Sequence, residues 1–220
     1  MKQLINIIIL CLLPLAIVSC DNEDCPIGDT PGQEYEPFLT EGKTWKYDYY
    51  NPAGKQYMKS LVVRGDTTIN GLTYKKIYDV SSDGYQYALR EEGKKVYCKH
   101  QNDDTPQLLY DFGKNVGEIV SEMVTQDERS VVKVLSVDYV KSGDRLLRRM
   151  EVAEFHLPLN SQENDEGYEL GRGIWIEGLG SFCGLDSPLS YPGNYWNFYS
   201  CWIGDDIIGV NELFWPGGIV

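Results

Sequence analysis

Thr67-Thr68-Ile69-Asn70-Gly71-Leu72-Thr73-Tyr74 is the stretch on which the fold class turns. Two runs rich in β-branched residues flank an Asn-Gly pair. Both central positions of that pair tolerate positive φ, as a two-residue type I′ hairpin requires. The same pattern spreads in both directions. Upstream, Trp45, Tyr47 and Tyr49 alternate with Lys46 and Asp48, Asn51-Pro52-Ala53-Gly54 marks a turn, and residues 57–64 read as a strand. Downstream, residues 74–80 alternate again. Tyr85-Gln86-Tyr87-Ala88-Leu89 turns at Arg90-Glu91-Glu92-Gly93 into Lys95-Val96-Tyr97-Cys98, and residues 108–112 form another short run. Residues 131–140 pair across Ser142-Gly143-Asp144 with residues 146–155. Residues 173–176 and 195–203 add two more strands, and Gly204-Asp205 turns into Ile207-Ile208. About ten strands, with turn signals every 8–12 residues, predict an all-β, mainly antiparallel fold. Alternation rather than continuous apolar runs argues for sheets with one wet face. The expected architecture is a hairpin meander forming a twisted open sheet, a barrel or a sandwich. Residues 117–127 are the single helix candidate, weakened by their β-branched side chains.

Several strings, taken together, carry a resemblance. They are Glu41-Gly42-Lys43-Thr44-Trp45, Gly65-Asp66-Thr67-Thr68-Ile69-Asn70-Gly71 with Tyr74-Lys75-Lys76, and Ala88-Leu89-Arg90-Glu91-Glu92-Gly93-Lys94-Lys95-Val96-Tyr97. Leu108-Leu109-Tyr110-Asp111-Phe112 and Trp175-Ile176-Glu177-Gly178-Leu179-Gly180-Ser181 complete the set. As a group they resemble a broad family of secreted and surface lipoproteins of Bacteroidetes with no assigned biochemical role. The resemblance covers about residues 41–190. It implies an envelope habitat and a β-rich fold, and it brings no catalytic residues.

Residues 1–20 speak to compartment. Met1-Lys2 is a short positive start, and residues 4–18 are nearly all apolar. That run is about fifteen residues, short of the roughly twenty a spanning helix needs, and fits a signal-peptide core. Ile17-Val18-Ser19-Cys20 resembles the bacterial lipobox, in which the cysteine thiol receives a diacylglycerol and becomes the new N-terminus after cleavage. Cys20 is thus the expected lipidation site, acylated with palmitate-type chains. Asp21-Asn22-Glu23-Asp24 resembles an acidic export signal of surface lipoproteins, which implies the outer membrane and leaves its periplasmic and outward faces both open. Residues 25–37 hold three prolines and two glycines and read as a tether. The expected organisation is a signal peptide at 1–19, a lipidated tether at 20–37 and a single β-rich domain at 38–220.

Of 220 residues, 33 are Asp or Glu against 20 Lys or Arg, a net charge of −13 that argues against nucleic-acid binding. Of six cysteines, Cys11 leaves with the signal and Cys20 carries lipid. Cys25, Cys98, Cys183 and Cys201 remain in an oxidising compartment. Cys183 with Cys201 is the expected disulfide, and Cys25 with Cys98 follows by elimination unless Cys25 stays free. No Cys-x-x-Cys or clustered histidine suggests zinc.

Catalytic signatures are missing from the sequence. His100 and His156 stand apart from any nucleophile motif, and no Gly-x-Ser-x-Gly, dinucleotide fingerprint or Walker loop occurs. No catalytic residue, metal or cofactor is expected. The candidate ligand contacts are aromatic. Tyr195, Trp196 and Tyr199 can offer a stacking surface, and Trp175 beside Glu177 can place a carboxylate next to a ring. The competing reading is ordinary packing, with Glu177 paired to Arg172. Strand alternation puts Trp196 and Phe198 on the face opposite Tyr195 and Tyr199. The expected function is a non-enzymatic module that binds a glycan, peptide or protein. The alternative is a glycan-acting hydrolase whose carboxylate pair the sequence does not identify, and a lipocalin-like carrier is a third reading.

Overall fold

The computed structural model describes residues 34–50, 56–126, 128–159, 167–191 and 196–214. Residues 1–33, with the signal-peptide reading, Cys20 and Cys25, lie outside them, as does Tyr195; Trp196 is described by its backbone alone. The strands are β1 Lys43–Tyr50, β2 Gln56–Ile69, β3 Leu72–Asp79, β4 Gly84–Glu92, β5 Lys95–His100 and β6 Gln107–Asp111. They continue as β7 Ile119–Val124, β8 Arg129–Ser142, β9 Arg145–Leu157, β10 Tyr168–Ile176, β11 Gly180–Ser181, β12 Trp196–Ile203 and β13 Asp206–Val210. A 3₁₀ turn at Asn211–Leu213 follows. The fold is all-β and antiparallel throughout, as the alternation predicts, in two curled sheets.

The larger sheet has the order β13-β12-β1-β2-β3-β4-β5-β6, and the smaller the order β11-β10-β9-β8-β7. Consecutive strands pair through short turns almost everywhere. The chain changes sheets between β6 and β7 and again between β11 and β12, and β12 lies beside β1, with Trp45 opposite Cys201. The Asn70–Gly71 hairpin forms as expected, with Ile69 opposite Leu72 and φ of 52° and 78° at the two central residues. The helix candidate at 117–127 is not helical over its described residues, 117–126. Ile119–Val124 pairs with β8, because β-branched Ile119, Val120 and Val124 suit a pleated edge.

One core cluster joins the sheets. Trp45, Tyr47, Leu61, Val63, Ile77, Tyr87 and Leu89 enter it from the larger sheet, and Val134, Leu147, Met150, Val152 and Trp175 from the smaller. Trp45 Nε1 donates to the Leu179 carbonyl at 2.9 Å, and the Tyr110 and Trp175 rings meet edge to face with centroids 5.2 Å apart. Among the described residues no helix is long and apolar enough to cross a membrane.

The chain entering β1 is itself part of this core. Phe38 is fully buried, with its ring 5.5 Å from those of Trp45 and Tyr110. The Glu91 carboxylate accepts from Phe38 N at 2.8 Å, Leu39 N at 3.0 Å and the Tyr35 hydroxyl at 2.7 Å. Lys43, also fully buried, donates from Nζ to the Pro37 carbonyl at 2.7 Å. A Cβ on Gly178 (φ +75°) would meet Glu36 Cγ at 2.5 Å, so only glycine lets this strap lie flat. The strap begins at Tyr35, inside the span expected to be tether.

Candidate ligand site

The segment after β11 folds over one end of the inner face of the larger sheet. Tyr110 fixes it. Its hydroxyl accepts from Ser181 N at 3.2 Å and donates to the Leu185 carbonyl at 2.8 Å. Ser181 Oγ accepts from Cys183 N at 3.1 Å and donates to the Pro188 carbonyl at 3.1 Å. Ser190 and Arg172 exchange two backbone hydrogen bonds, of 2.8 and 3.2 Å. Between this loop and the sheet lies a cavity of about 170 Å³. Tyr47, Lys59 and Leu61 form its floor, and Cys183, Gly184, Leu185, Asp186 and Ser187 form its roof.

Two tyrosines of the larger sheet break the usual rule that buried polar atoms find partners. The hydroxyls of Tyr47 and Tyr87 are buried and make no hydrogen bond. Leaving such a hydroxyl unsatisfied costs on the order of 1–3 kcal/mol. Asp186 is half-buried on the cavity wall and has no ion-pair partner among the described residues. Burial, first, and then the negative field of Asp186 among other neighbours, pushes the Tyr47 and Tyr87 phenols well above their usual range. Both are neutral hydroxyls at physiological pH. The Tyr87 ring also meets His100 edge to face, with centroids 5.1 Å apart. Lys59 stands opposite Tyr47 in the β1–β2 register, and its ammonium acts on Asp79 of the next strand.

The residues singled out from the sequence lie elsewhere. Trp175 is buried in the core, with Nε1 donating to the Pro188 carbonyl at 2.6 Å, so its face is not a platform. Glu177 is buried too, and its Oε1 accepts from Glu36 N at 3.0 Å, holding the strap. Arg172 does not serve it: its ion pairs run to Glu151 and Glu169, and the hydrogen bonds from Arg172 hold the Glu169 carboxyl below its ordinary range. Tyr199 is half exposed and Phe198 buried, as alternation requires. Cys98, Cys183 and Cys201 are free thiols, so the expected Cys183–Cys201 bridge is not formed. Cys201 faces the core opposite Trp45 and close to Lys43, while Cys183 sits in the roof beside the Ser181 and Ser190 side chains. Burial pushes the Cys201 thiol up to about 12 and raises Cys98 and Cys183 as well. Among the described residues no group of three or more His, Cys, Asp or Glu is placed to hold a metal.

Sequence reasoning missed Tyr47 and Asp186 as residues of the cavity. The parity of Trp45-Tyr47-Tyr49 and of Tyr87-Ala88-Leu89 puts both tyrosines on an inner face. A buried phenol always raises the question of its partner.

No protein-family profile matches the chain, and no curated protein matches it. A solved structure from Parabacteroides distasonis, described as a candidate lipoprotein, is similar at 11% identity with a TM-score of 0.30. The similarity covers 80% of this chain and 96% of that one.

Proposed function

We propose that this chain is a lipid-anchored protein of the outer membrane, attached through Cys20, whose β-sheet body is a non-enzymatic binding module with its ligand in the cavity beneath residues 183–187. The observation that carries the binding role is the cavity itself, of about 170 Å³, with Asp186 and Lys59 among the residues that line it. The anchor rests on the sequence around Cys20, where each buried CH₂ of an acyl chain contributes about 0.8 kcal/mol of membrane affinity. The hydrolase reading is disfavoured because two carboxylates must flank a scissile bond. Asp186 is the one carboxylate among the residues that line the cavity.

One fractionation and binding experiment tests both halves. Wild-type chain is expected in the membrane fraction and Cys20→Ala in the soluble fraction. A panel of glycans, peptides and small metabolites is expected to yield a stoichiometric ligand whose binding weakens in Asp186→Asn. Turnover of a polymer with no stoichiometric binding would overturn the proposal.

A further inference from the structure

We propose that the outer face of β2–β5 binds an acidic polysaccharide through a grid of cations and tyrosines. This surface lies on the side of the larger sheet away from the core and the cavity, so it stands or falls apart from the cavity reading.

Strand register builds the grid. Ile77, Tyr87, Leu89, Val96 and Cys98 enter the core, so the residues that alternate with them point outward. Lys76, Ala88 and Lys99 form one row across β3, β4 and β5. In the next row Tyr97 stands opposite Arg90, whose guanidinium lies 4.5 Å from the centroid of the Tyr97 ring and 5.8 Å from that of Tyr74. On the other side of the lysine row, the Arg64 guanidinium lies 4.2 Å from the centroid of the Tyr78 ring and Lys76 Nζ 5.8 Å from it. Tyr85 meets Tyr78 edge to face at 5.9 Å. Tyr74 and Ala88 are buried yet stand outside the core cluster, beneath the long side chains of this face.

The chain as a whole carries a net charge of −13, yet this grid gathers four cations, Arg64, Lys76, Arg90 and Lys99. Arg64 pairs with Asp83 in the β3–β4 turn and Arg90 with Glu92 at the end of β4, so these carboxylates sit at the margins and in water. Lys76 and Lys99 form no ion pair among the described residues, and Lys99 donates to the His100 and Asp103 carbonyls. Cations spread over several rows suit a partner that carries anionic groups at intervals along a chain, and a guanidinium fork matches carboxylate geometry. Cations already lie over the rings of Tyr74, Tyr78 and Tyr97, a poor platform for nucleobases, which stack on open aromatic faces. β2 to β5 are paired on both sides, so an acidic peptide cannot add here as a strand. The groups left to a partner are ammonium, guanidinium and phenol, which donate to carboxylates, sulfates and sugar hydroxyls.

The test is an NMR titration of the full chain in neutral detergent micelles, reading the backbone amides of β2–β5 at low salt. The probes are hexagalacturonate, a chondroitin sulfate hexasaccharide, maltohexaose, hexaglutamate and a short oligothymidylate, with phosphatidylglycerol doped into the micelles as a separate arm. At least one of the two acidic oligosaccharides is expected to bind and to shift these amides, and neutral maltohexaose is not. The affinity is expected to fall about tenfold or more for a tenfold rise in salt, as counterions are released. Lys76→Glu is expected to weaken binding about tenfold, and Lys141→Glu, the same charge change at an exposed site on β8 of the smaller sheet, less than about twofold. Arg64→Gln, expected to weaken binding several-fold, replaces Lys76→Glu if that variant fails to fold. An equal loss in Lys141→Glu would overturn the placement of the site. Tighter binding of hexaglutamate, oligothymidylate or phosphatidylglycerol than of either acidic oligosaccharide would overturn the polysaccharide assignment. Silence of both acidic oligosaccharides would overturn the proposal and leave the cavity reading untouched.

Discussion

Glu91→Gln is the sharpest test of how the body is tied to the chain that tethers it. One carboxylate takes three hydrogen bonds, from Tyr35 Oη and Phe38 N on Oε1 and from Leu39 N on Oε2. A glutamine can keep its oxygen at the first position. Its amide nitrogen then faces the Leu39 N–H, donor against donor. Two retained bonds lose their charge assistance, roughly 1 kcal/mol each, and one N–H goes unsatisfied at about 1–3 kcal/mol. Discounted for the partial exposure of Glu91, the expected loss is about 2–4 kcal/mol. For a body of this size that is a fall in Tm of about 5–15 °C. Glu92→Gln is the matched control. Glu92 lies on the exposed side and pairs with Arg90 at 2.6 Å, with its own side chain 66% exposed, so its loss stays within about 1 kcal/mol. The assay is thermal and urea unfolding of the full chain by circular dichroism, with amide exchange read at Phe38 and Leu39. Those two amides are expected to exchange faster in Glu91→Gln than in either wild type or Glu92→Gln. A Tm within about 1 °C of wild type, with exchange unchanged, would refute the strap as a stabilising element.

Two further outcomes follow from buried groups. Tyr47, Tyr87 and Tyr110 all titrate well above 10.0 in the folded chain because they are buried. Above pH 10 the unfolded chain therefore holds fewer protons than the folded one, and stability falls as pH rises, by up to about 1.4 kcal/mol per pH unit per group. Cooperative alkaline unfolding is expected, with the tyrosinate absorbance of these three appearing only as the fold is lost; smooth titration near pH 10 with the sheets intact would contradict it. Cys98, Cys183 and Cys201 are expected to resist iodoacetamide in the folded chain and to react fully in urea, as read by peptide mass spectrometry. A Cys183–Cys201 cross-linked peptide would show the thiol assignment to be wrong.

The parts of the fold legible in the sequence are those set by neighbours along the chain. Asn70-Gly71, Gly93 and Gly143 each announce a turn through their own backbone preferences, and each joins two antiparallel strands. The parts that were not legible depend on contacts far apart in sequence. Trp45 reaches the Leu179 carbonyl, 134 positions away, and Tyr110 holds a loop 71 to 75 positions on. Nothing local tells Trp175 that Tyr110 and Pro188 will cover it, so its aromaticity read as a ligand platform. The cysteines failed for a related reason. A bridge requires facing Cβ atoms at close range, and spacing along the chain does not fix that. Glu177 is the same case in charged form: its partner is the backbone of Glu36, 141 positions upstream, where Arg172 is near in sequence but committed to Glu151 and Glu169.

β1 joins the two features that matter for function. Lys43 at its start holds the strap through Pro37, and Tyr47, four positions on, lines the cavity. At roughly 3.3 Å per residue those points lie about 13 Å apart along one strand. The proposed anchor at Cys20 is 14 residues from Glu34, a reach of at most about 50 Å for a fully extended chain. With the proposed anchor, the cavity would lie within a few tens of ångströms of the bilayer. Glu91, Glu177 and Lys43 hold the strap ahead of the strand that carries Tyr47, so under the proposed anchoring a pull on the chain would meet these contacts first. Three polar clamps and the fully buried Phe38 fix six residues, Tyr35 to Thr40, against the body, so the contacts that hold this strap are separate from the strand pairing that places Tyr47.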